Sequence, residues 1–261
     1  MDEIEIHVED CVATVRLNRP DFQNRFNEAI MVALRDAALE LRDRTDVHTV
    51  VLTGSTEFFS AGADLSLAQQ SSAPSTLLET RQAVRLGPDM CEAWERLEQV
   101  TIAAIEGYCI GGGAALVLAC DFRIAGAGAR IRLPEVPLGI NMSWRSLPRL
   151  AALVGPSKAK RISILGESIK ARQALDWGLI DEAVDEGDAL NTAQTLANRI
   201  ASLPPLSVRM TKEAINACVN THHFAASQMD RDQFLLTLGS ADFKEGISAY
   251  FEKRPPKFKG N

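Results

Sequence analysis

Two turns built from small residues are the stretches of this chain best suited to chemistry. Val100 to Ile105 reads as a buried strand that runs into Glu106-Gly107-Tyr108-Cys109-Ile110-Gly111-Gly112-Gly113 and then an Ala/Leu helix ending at Asp121. A strand, a glycine turn and a helix N-terminus together present free backbone N–H groups backed by the helix dipole, a setting for an anion or a developing oxyanion. Close packing of a helix on a sheet would ask for the same glycines. A second turn, Phe58-Phe59-Ser60-Ala61-Gly62-Ala63-Asp64-Leu65, follows the strand His48 to Thr53 in the same manner. Two backbone donors from two loops are what an oxyanion hole requires.

Other chemistries lack their residues. The Gly107 to Gly113 cluster has no Lys-Ser/Thr after it, as a P-loop needs, and Gly126-Ala-Gly128 is followed by Ile131 where the third dinucleotide glycine belongs. There is no G-x-S-x-G elbow and no H-E-x-x-H helix. His7, His48, His222 and His223 read as structural or solvated, since a site needs convergent partners.

The elements that must carry the two turns follow from periodicity. Ile4, Ile6 and Val8 alternate with polar residues, as do Ala13, Val15 and Leu17, which predicts a two-stranded hairpin. From an N-cap at Asn27, apolar residues at Ile30, Leu34, Ala37/Ala38 and Leu41 predict a helix of about four turns. The small-residue stretch Ser71 to Ser75 precedes a long predicted helix reaching about Gln99. Beyond Gly155-Pro156 the pattern is helical, with a further start at Pro204-Pro205 and one short strand, Leu179 to Val184, interposed. The fold class is therefore α/β, with a nearly all-helical end.

The chain has 261 residues, 46% of them hydrophobic and 24% charged, the balance of an ordinary globular protein. A formal net charge of -6 excludes the footprint of a nucleic-acid binder. Its most apolar run, Tyr108 to Cys120, is too short and Gly-rich to span a bilayer, and the acidic start MDEIEIHVED has no secretory character. Five cysteines without a C-x-x-C pair fit buried thiols in a reducing compartment, so a cytoplasmic protein with neither disulfides nor a metal site is expected.

With these pieces in order, the chain resembles the enoyl-CoA hydratase/isomerase (crotonase) superfamily. The matching stretches are NRPDFQNRFN (18–27), FFSAGADL (58–65), EGYCIGGGAALVLACDFRIA (106–125), LPEVPLGI (133–140), ARQALDWGLIDEAV (171–184), RMTKEAIN (209–216) and EGISAYFEKRPPKFKG (245–260). The resemblance implies a crotonase-like ββα spiral over residues 1–200 and a C-terminal helical trimerisation region over 201–261, assembled as a homotrimer or homohexamer. It implies an acyl-CoA substrate and no separate cofactor, coenzyme A being part of the substrate. Carried over by motif, the oxyanion amides belong to Ala63 and Gly112. Ala61, Asp64 and Leu65 would bind the adenine end of CoA, and Gln23 to Arg25 would flank the pantetheine. Phe234, Tyr250 and Lys253 fall where relatives contact the CoA of a neighbouring subunit. Leu65 to Leu86, polar and loop-like, would line the acyl tunnel.

Hydratases resembling this chain use two glutamates. The position of the first, two residues beyond the triple glycine, is Ala115; that of the second is Glu135 in Leu133-Pro134-Glu135. Hydration needs a carboxylate to activate water and an acid for the α-carbon, whereas moving a double bond from the 3- to the 2-position needs only one base acting at C2 and C4. Glu135 alone suffices for the second reaction, so the resemblance points to an enoyl-CoA isomerase. The alternatives are a hydratase, with Asp64, Glu106 or Glu135 alone activating water, and an acyl-CoA-binding protein without chemistry. The loop Gly139 to Leu150 carries no carboxylate, against aspartate-dependent relatives, and brings in the bulky Trp144 as a pocket wall. Arg145 is expected to pair with Glu135 or with a polar acyl group.

Overall fold

The computed structural model describes residues 3–64 and 76–261. Leu65 and the stretch Ser71 to Ser75 lie outside the described residues. The hairpin forms as read: β1 (Ile4–Glu9) and β2 (Val12–Leu17) run antiparallel with Ile4 opposite Leu17. The next six strands alternate between two sheets. β3 (Thr49–Thr53), β5 (Val100–Ile105), β7 (Phe122–Gly126) and β10 (Glu182–Val184) extend the first, in the order β1-β2-β3-β5-β7-β10. β4 (Phe58–Ser60), β6 (Tyr108–Ile110), β8 (Arg130–Arg132) and β9 (Ile169–Lys170) make the second, in the order β4-β6-β8-β9. Each ββ step is followed by helix, so the spiral repeats around its own core, matching the ββα architecture expected.

β3 and β5 are buried along their whole length because both faces of the large sheet are covered. Val50, Leu52, Ala103 and Ile105 face a core closed by α1 (Glu28–Arg42), whose buried stripe is Ile30, Leu34, Ala37, Ala38 and Leu41. Asn27 caps α1, its side chain accepting from Ile30 N–H at 3.0 Å. On the other face Val51, Ile102 and Ala104 meet Ala189, Ala193 and Ala197, an i,i+4 stripe of small residues that lets a helix lie close on the sheet.

Three boundaries depart from the sequence reading. The helix expected up to Gln99 is two, α2 (Leu77–Ala83) and α3 (Leu86–Glu95), because Pro88 lacks an N–H and belongs in the first turn of a new helix. The start at Pro156 is a break inside α5 (Ser146–Leu165), where Gly155 takes φ 74°, ψ 164°. The strand at 179–184 shrinks to β10, because α6 (Ala171–Trp177) ends on left-handed Gly178 and Leu179 N–H turns back to Ala174 O at 2.8 Å.

After α7 (Ala189–Ala201) come α8 (Pro205–Val219), α9 (His223–Ser227), α10 (Asp230–Leu238) and α11 (Ala241–Glu252). α11 returns to the body on two glycine contacts. A Cβ on Gly139 would come 2.6 Å from Asp242 O, and one on Gly246 would overlap Leu138 O. Among the described residues, no helix is long and apolar enough to cross a membrane.

Candidate active site

The two small-residue turns lie side by side because β4 and β6 pair in parallel. Gly62 makes this possible: its φ is +84°, and a Cβ there would stand 2.7 Å from Ile110 O and 3.4 Å from Gly112 N. Phe26 bridges Ala63 in parallel, Phe26 N–H donating to Gly62 O at 2.8 Å and Asp64 N–H to Phe26 O at 3.0 Å. That pattern turns Ala63 N–H to the edge away from Phe26. Gly111 N–H is taken by Arg132 O at 2.9 Å, whereas Gly112 opens α4 (Gly112–Val117), where the first amides have no intrahelical acceptor. Two donors from two loops thus meet at one cavity of about 230 Å³, lined by Ala61, Gly62, Ala63, Asp64, Gly111, Gly112, Glu135 and apolar side chains.

Glu135 enters that cavity from the turn before the 3₁₀ segment Val136–Leu138, where its carbonyl accepts from Leu138 N–H at 3.0 Å and Ile140 N–H at 3.1 Å. Its Oε2 is shielded from solvent and has no hydrogen-bond partner. Burial pushes the carboxyl up to about 7, against the opposing pull of backbone hydrogen bonding and Arg132. A carboxylate so placed can take and return a proton near neutral pH.

Trp144 closes one side. Its ring stacks parallel on Phe26, at 6.1 Å between centroids and 4° between planes. The turn carrying it is pinned from behind by Asp230, whose Oδ2 accepts from Ser143 Oγ at 3.1 Å and Arg145 N–H at 2.9 Å. Burial holds the Asp230 carboxyl above its ordinary range.

Several expectations need correction. Arg145 pairs with Glu92 at 2.9 Å and lies over the Phe224 ring, not with Glu135. Glu106 cannot serve a water: its Oε1 accepts from Gly187 and Ala189 N–H, both at 3.0 Å, anchoring the start of α7. Phe234, expected at a neighbour's CoA, lines this chain's own cavity because the turn into α11 folds α10 back beside Glu135. Tyr250, 58% exposed on α11, and Lys253, its exposed left-handed cap, stay on the surface, where the expected contact with a neighbour's CoA would need them. Ala115 is fully buried in the main core and is not among the residues lining the cavity. Gln23 and Arg25 pair with each other at 2.7 Å beside the cavity, where Ala61 N–H donates to Gln23 O at 3.0 Å. Leu65 lies outside the described residues.

Sequence reasoning missed Gly87, Phe26, Phe243 and Asp230. A glycine in the first turn of α3 was the one available signal; the other three reach the site through tertiary packing alone.

The family model for Enoyl-CoA hydratase/isomerase matches residues 7–261. The chain is 34% identical over 258 residues to a crotonyl-CoA hydratase of Syntrophomonas wolfei subsp. wolfei, covering 98% of each. It is also 34% identical to a 2,3-dehydroadipyl-CoA hydratase of Escherichia coli, covering 100% of each. Among solved structures, an enoyl-CoA hydratase from Mycobacterium avium subsp. paratuberculosis has a TM-score of 0.88 at 26% identity, covering 98% of each chain. Pseudomonas aeruginosa DspI has a TM-score of 0.79 at 32% identity, covering 99% of this chain and 97% of its own.

Proposed function

The chain belongs to the enoyl-CoA hydratase/isomerase family, and from that premise we propose that it isomerises a 3-enoyl-CoA to a 2-enoyl-CoA with Glu135 as its one acid/base. The thioester oxygen accepts from Ala63 and Gly112 N–H, which stabilise the dienolate as charge moves onto that oxygen. Glu135 Oε2 takes the proton from C2, and the resulting carboxylic acid returns it at C4, so the balance closes without water. The observation that carries this reading is the unpartnered, shielded Oε2 on the same cavity as both amides. Coenzyme A enters as part of the substrate, and no metal or separate cofactor takes part.

A second reading, addition of water to a 2-enoyl-CoA, is favoured by the names of the relatives and by Asp64 on the same cavity. Turnover of matched 3-enoyl- and 2-enoyl-CoA substrates separates the two. Isomerisation outrunning hydration supports the first reading; hydration at a typical enzyme rate of about 10 per second overturns it. Tight binding with turnover of neither substrate marks a binding protein.

We also propose a cytoplasmic homotrimer or homohexamer. Ile215 and Val219 on α8 and Phe224 on α9 are 57%, 51% and 62% exposed, apolar surface that a second copy would cover. Light scattering at micromolar concentration tests it, and a monomer would overturn it.

A further inference from the structure

Trp144 occupies a slot that two glycines leave open. A Cβ on Gly112 would overlap Cζ3 and Cη2 of the indole, and a Cβ on Gly87 would overlap its Cε2 and Nε1. The ring therefore spans from the first residue of α4 to the first turn of α3, with Phe26 stacked on it. The backbone adopts an unfavourable conformation to put it there: φ is +64° at Trp144 and +56° at Arg145, a region that bulky L-residues avoid. Such strain persists only where surrounding structure over-determines it. Here hydrogen bonds supply the restraint. Asp230 accepts from Ser143 Oγ and Arg145 N–H, and Arg149 Nη1 donates to Trp144 O at 3.0 Å. Arg149 is itself held by a bidentate bond to Glu95 at 2.9 and 2.8 Å.

The wedge stands against Gly112, the residue whose amide would hold the thioester oxygen, so an acyl chain starting there meets the indole at once. Toward Gly87 the way is filled. The space left is the cavity of about 230 Å³, below the roughly 300–1,000 Å³ of pockets that take drug-sized ligands. Its walls include Leu138, Ile140, Met142, Phe234, Leu238 and Phe243, and among the described residues lining it there is no Lys, Arg or His. The nearby cations are already committed, Arg145 to Glu92 and Phe224, and Arg132, whose charge reaches Glu135, to Gly166 O at 2.6 Å. An acyl group ending in a carboxylate would be desolvated there without a partner.

We propose that Trp144 is the specificity-determining residue of this site and restricts it to short, uncharged acyl chains. The inference rests on the reading that the cavity takes an acyl-CoA thioester, and its test uses saturated esters so that it does not depend on which reaction follows. Calorimetric titration of the full chain with butyryl-, decanoyl- and succinyl-CoA compares length at one end and charge at equal length. In the wild type, butyryl-CoA is expected to bind at least about tenfold more tightly than either of the others, the scale of discrimination that misfit groups produce in apolar pockets. Trp144→Ala is expected to raise decanoyl-CoA affinity relative to butyryl-CoA by about tenfold or more, with succinyl-CoA still weak. Trp144→Phe keeps an aromatic stack on Phe26, should shift the ratio part of the way, and carries the test if the alanine variant does not fold. Equal wild-type affinities for butyryl- and decanoyl-CoA, or folded variants that keep the wild-type ratio, would overturn the role of Trp144. No binding of any ester to the wild type would overturn the CoA reading itself.

Discussion

Glu135 Oε1 lies 2.8 Å from the point where a Cβ on Gly111 would stand. Gly111 also takes φ 52°, ψ -115°, a conformation open in practice to glycine alone. Glu135 and the turn that opens α4 therefore fit each other only while residue 111 has no side chain. Gly111→Ala is expected to cost stability by about 1–3 kcal/mol and to push the carboxylate off its position. Turnover should fall more than acyl-CoA affinity does. Unchanged kcat in a folded variant would break the link between the two residues.

Glu135→Gln keeps the shape and removes the base. Isomerase turnover should fall by about a hundredfold or more while binding of a saturated ester persists. The wild-type rate should rise with pH through about 7, because the deprotonated carboxylate is the active form and burial holds its folded pKa at about 7. The stability sign is opposite. The folded state keeps the proton where the unfolded chain has released it, so ionising Glu135 costs folding free energy as pH rises from about 4.5 to 7. At pH 8 the glutamine variant should be the more stable, by at most about 3 kcal/mol. Denaturant titrations at pH 5 and pH 8 check this, and a gap that does not widen with pH would count against the buried-base picture.

What the sequence disclosed and what it hid divide along a physical line. β1 and β2 were legible from period-two alternation and α1 from its stripe and cap, because each writes its environment into neighbouring residues. The two turns were legible because a glycine at positive φ, as at Gly62 and Gly111, leaves a visible vacancy in the chain. Trp144 was seen only as a pocket wall. Gly87 marks a vacancy without saying which ring fills it, and the bond from Arg145 N–H to Asp230 across 85 residues leaves no local trace. The same holds for α10, whose Phe234 reaches this chain's cavity through a fold-back at Gly139 and Gly246.

Asp230 should behave as a positioning residue. Asp230→Ala leaves Ser143 Oγ and Arg145 N–H without their shared acceptor, a loss of about 1–3 kcal/mol for buried donors. If the pair of left-handed residues relaxes, Trp144 leaves its slot, and KM for a short enoyl-CoA should rise more than kcat falls. Asp230→Asn retains an acceptor oxygen and should restore most of KM. Failure of the asparagine to rescue would leave only a general stability role.

Lys212 ties α8 to the body. Its Nζ donates to Gln99 O and pairs with Asp121 Oδ2, both at 2.7 Å, and its side chain is 8% exposed. Lys212→Met preserves the apolar stem but strands a carboxylate that retains only Thr101 N–H and Oγ1 as donors. A loss of about 3 kcal/mol is expected by chemical denaturation, the lower end for breaking a buried pair, since Asp121 is 20% exposed. A change under about 1 kcal/mol would show the bridge to be of the weak surface kind.

The missing glutamate invites the substitution Ala115→Glu. For two carboxyl groups to share a water, both must reach the cavity, and Ala115 does not: it is fully buried in the main core, with its N–H bonded to Gly111 O at 2.9 Å. Gly111 and Gly112 line the cavity, whereas Ala115, one turn on, is packed in the main core. A glutamate there would be overpacked and desolvated without a cation, and would stay protonated rather than activate water. The variant should lose about 1–3 kcal/mol, the scale of an overpacked core, and gain nothing in hydration of a 2-enoyl-CoA. Melting and hydration assays decide it together. A well-folded Ala115→Glu protein that hydrates tens-fold faster than wild type would mean that the side chain does enter the cavity, and that the absence of this one carboxylate is what separates the chain from a hydratase.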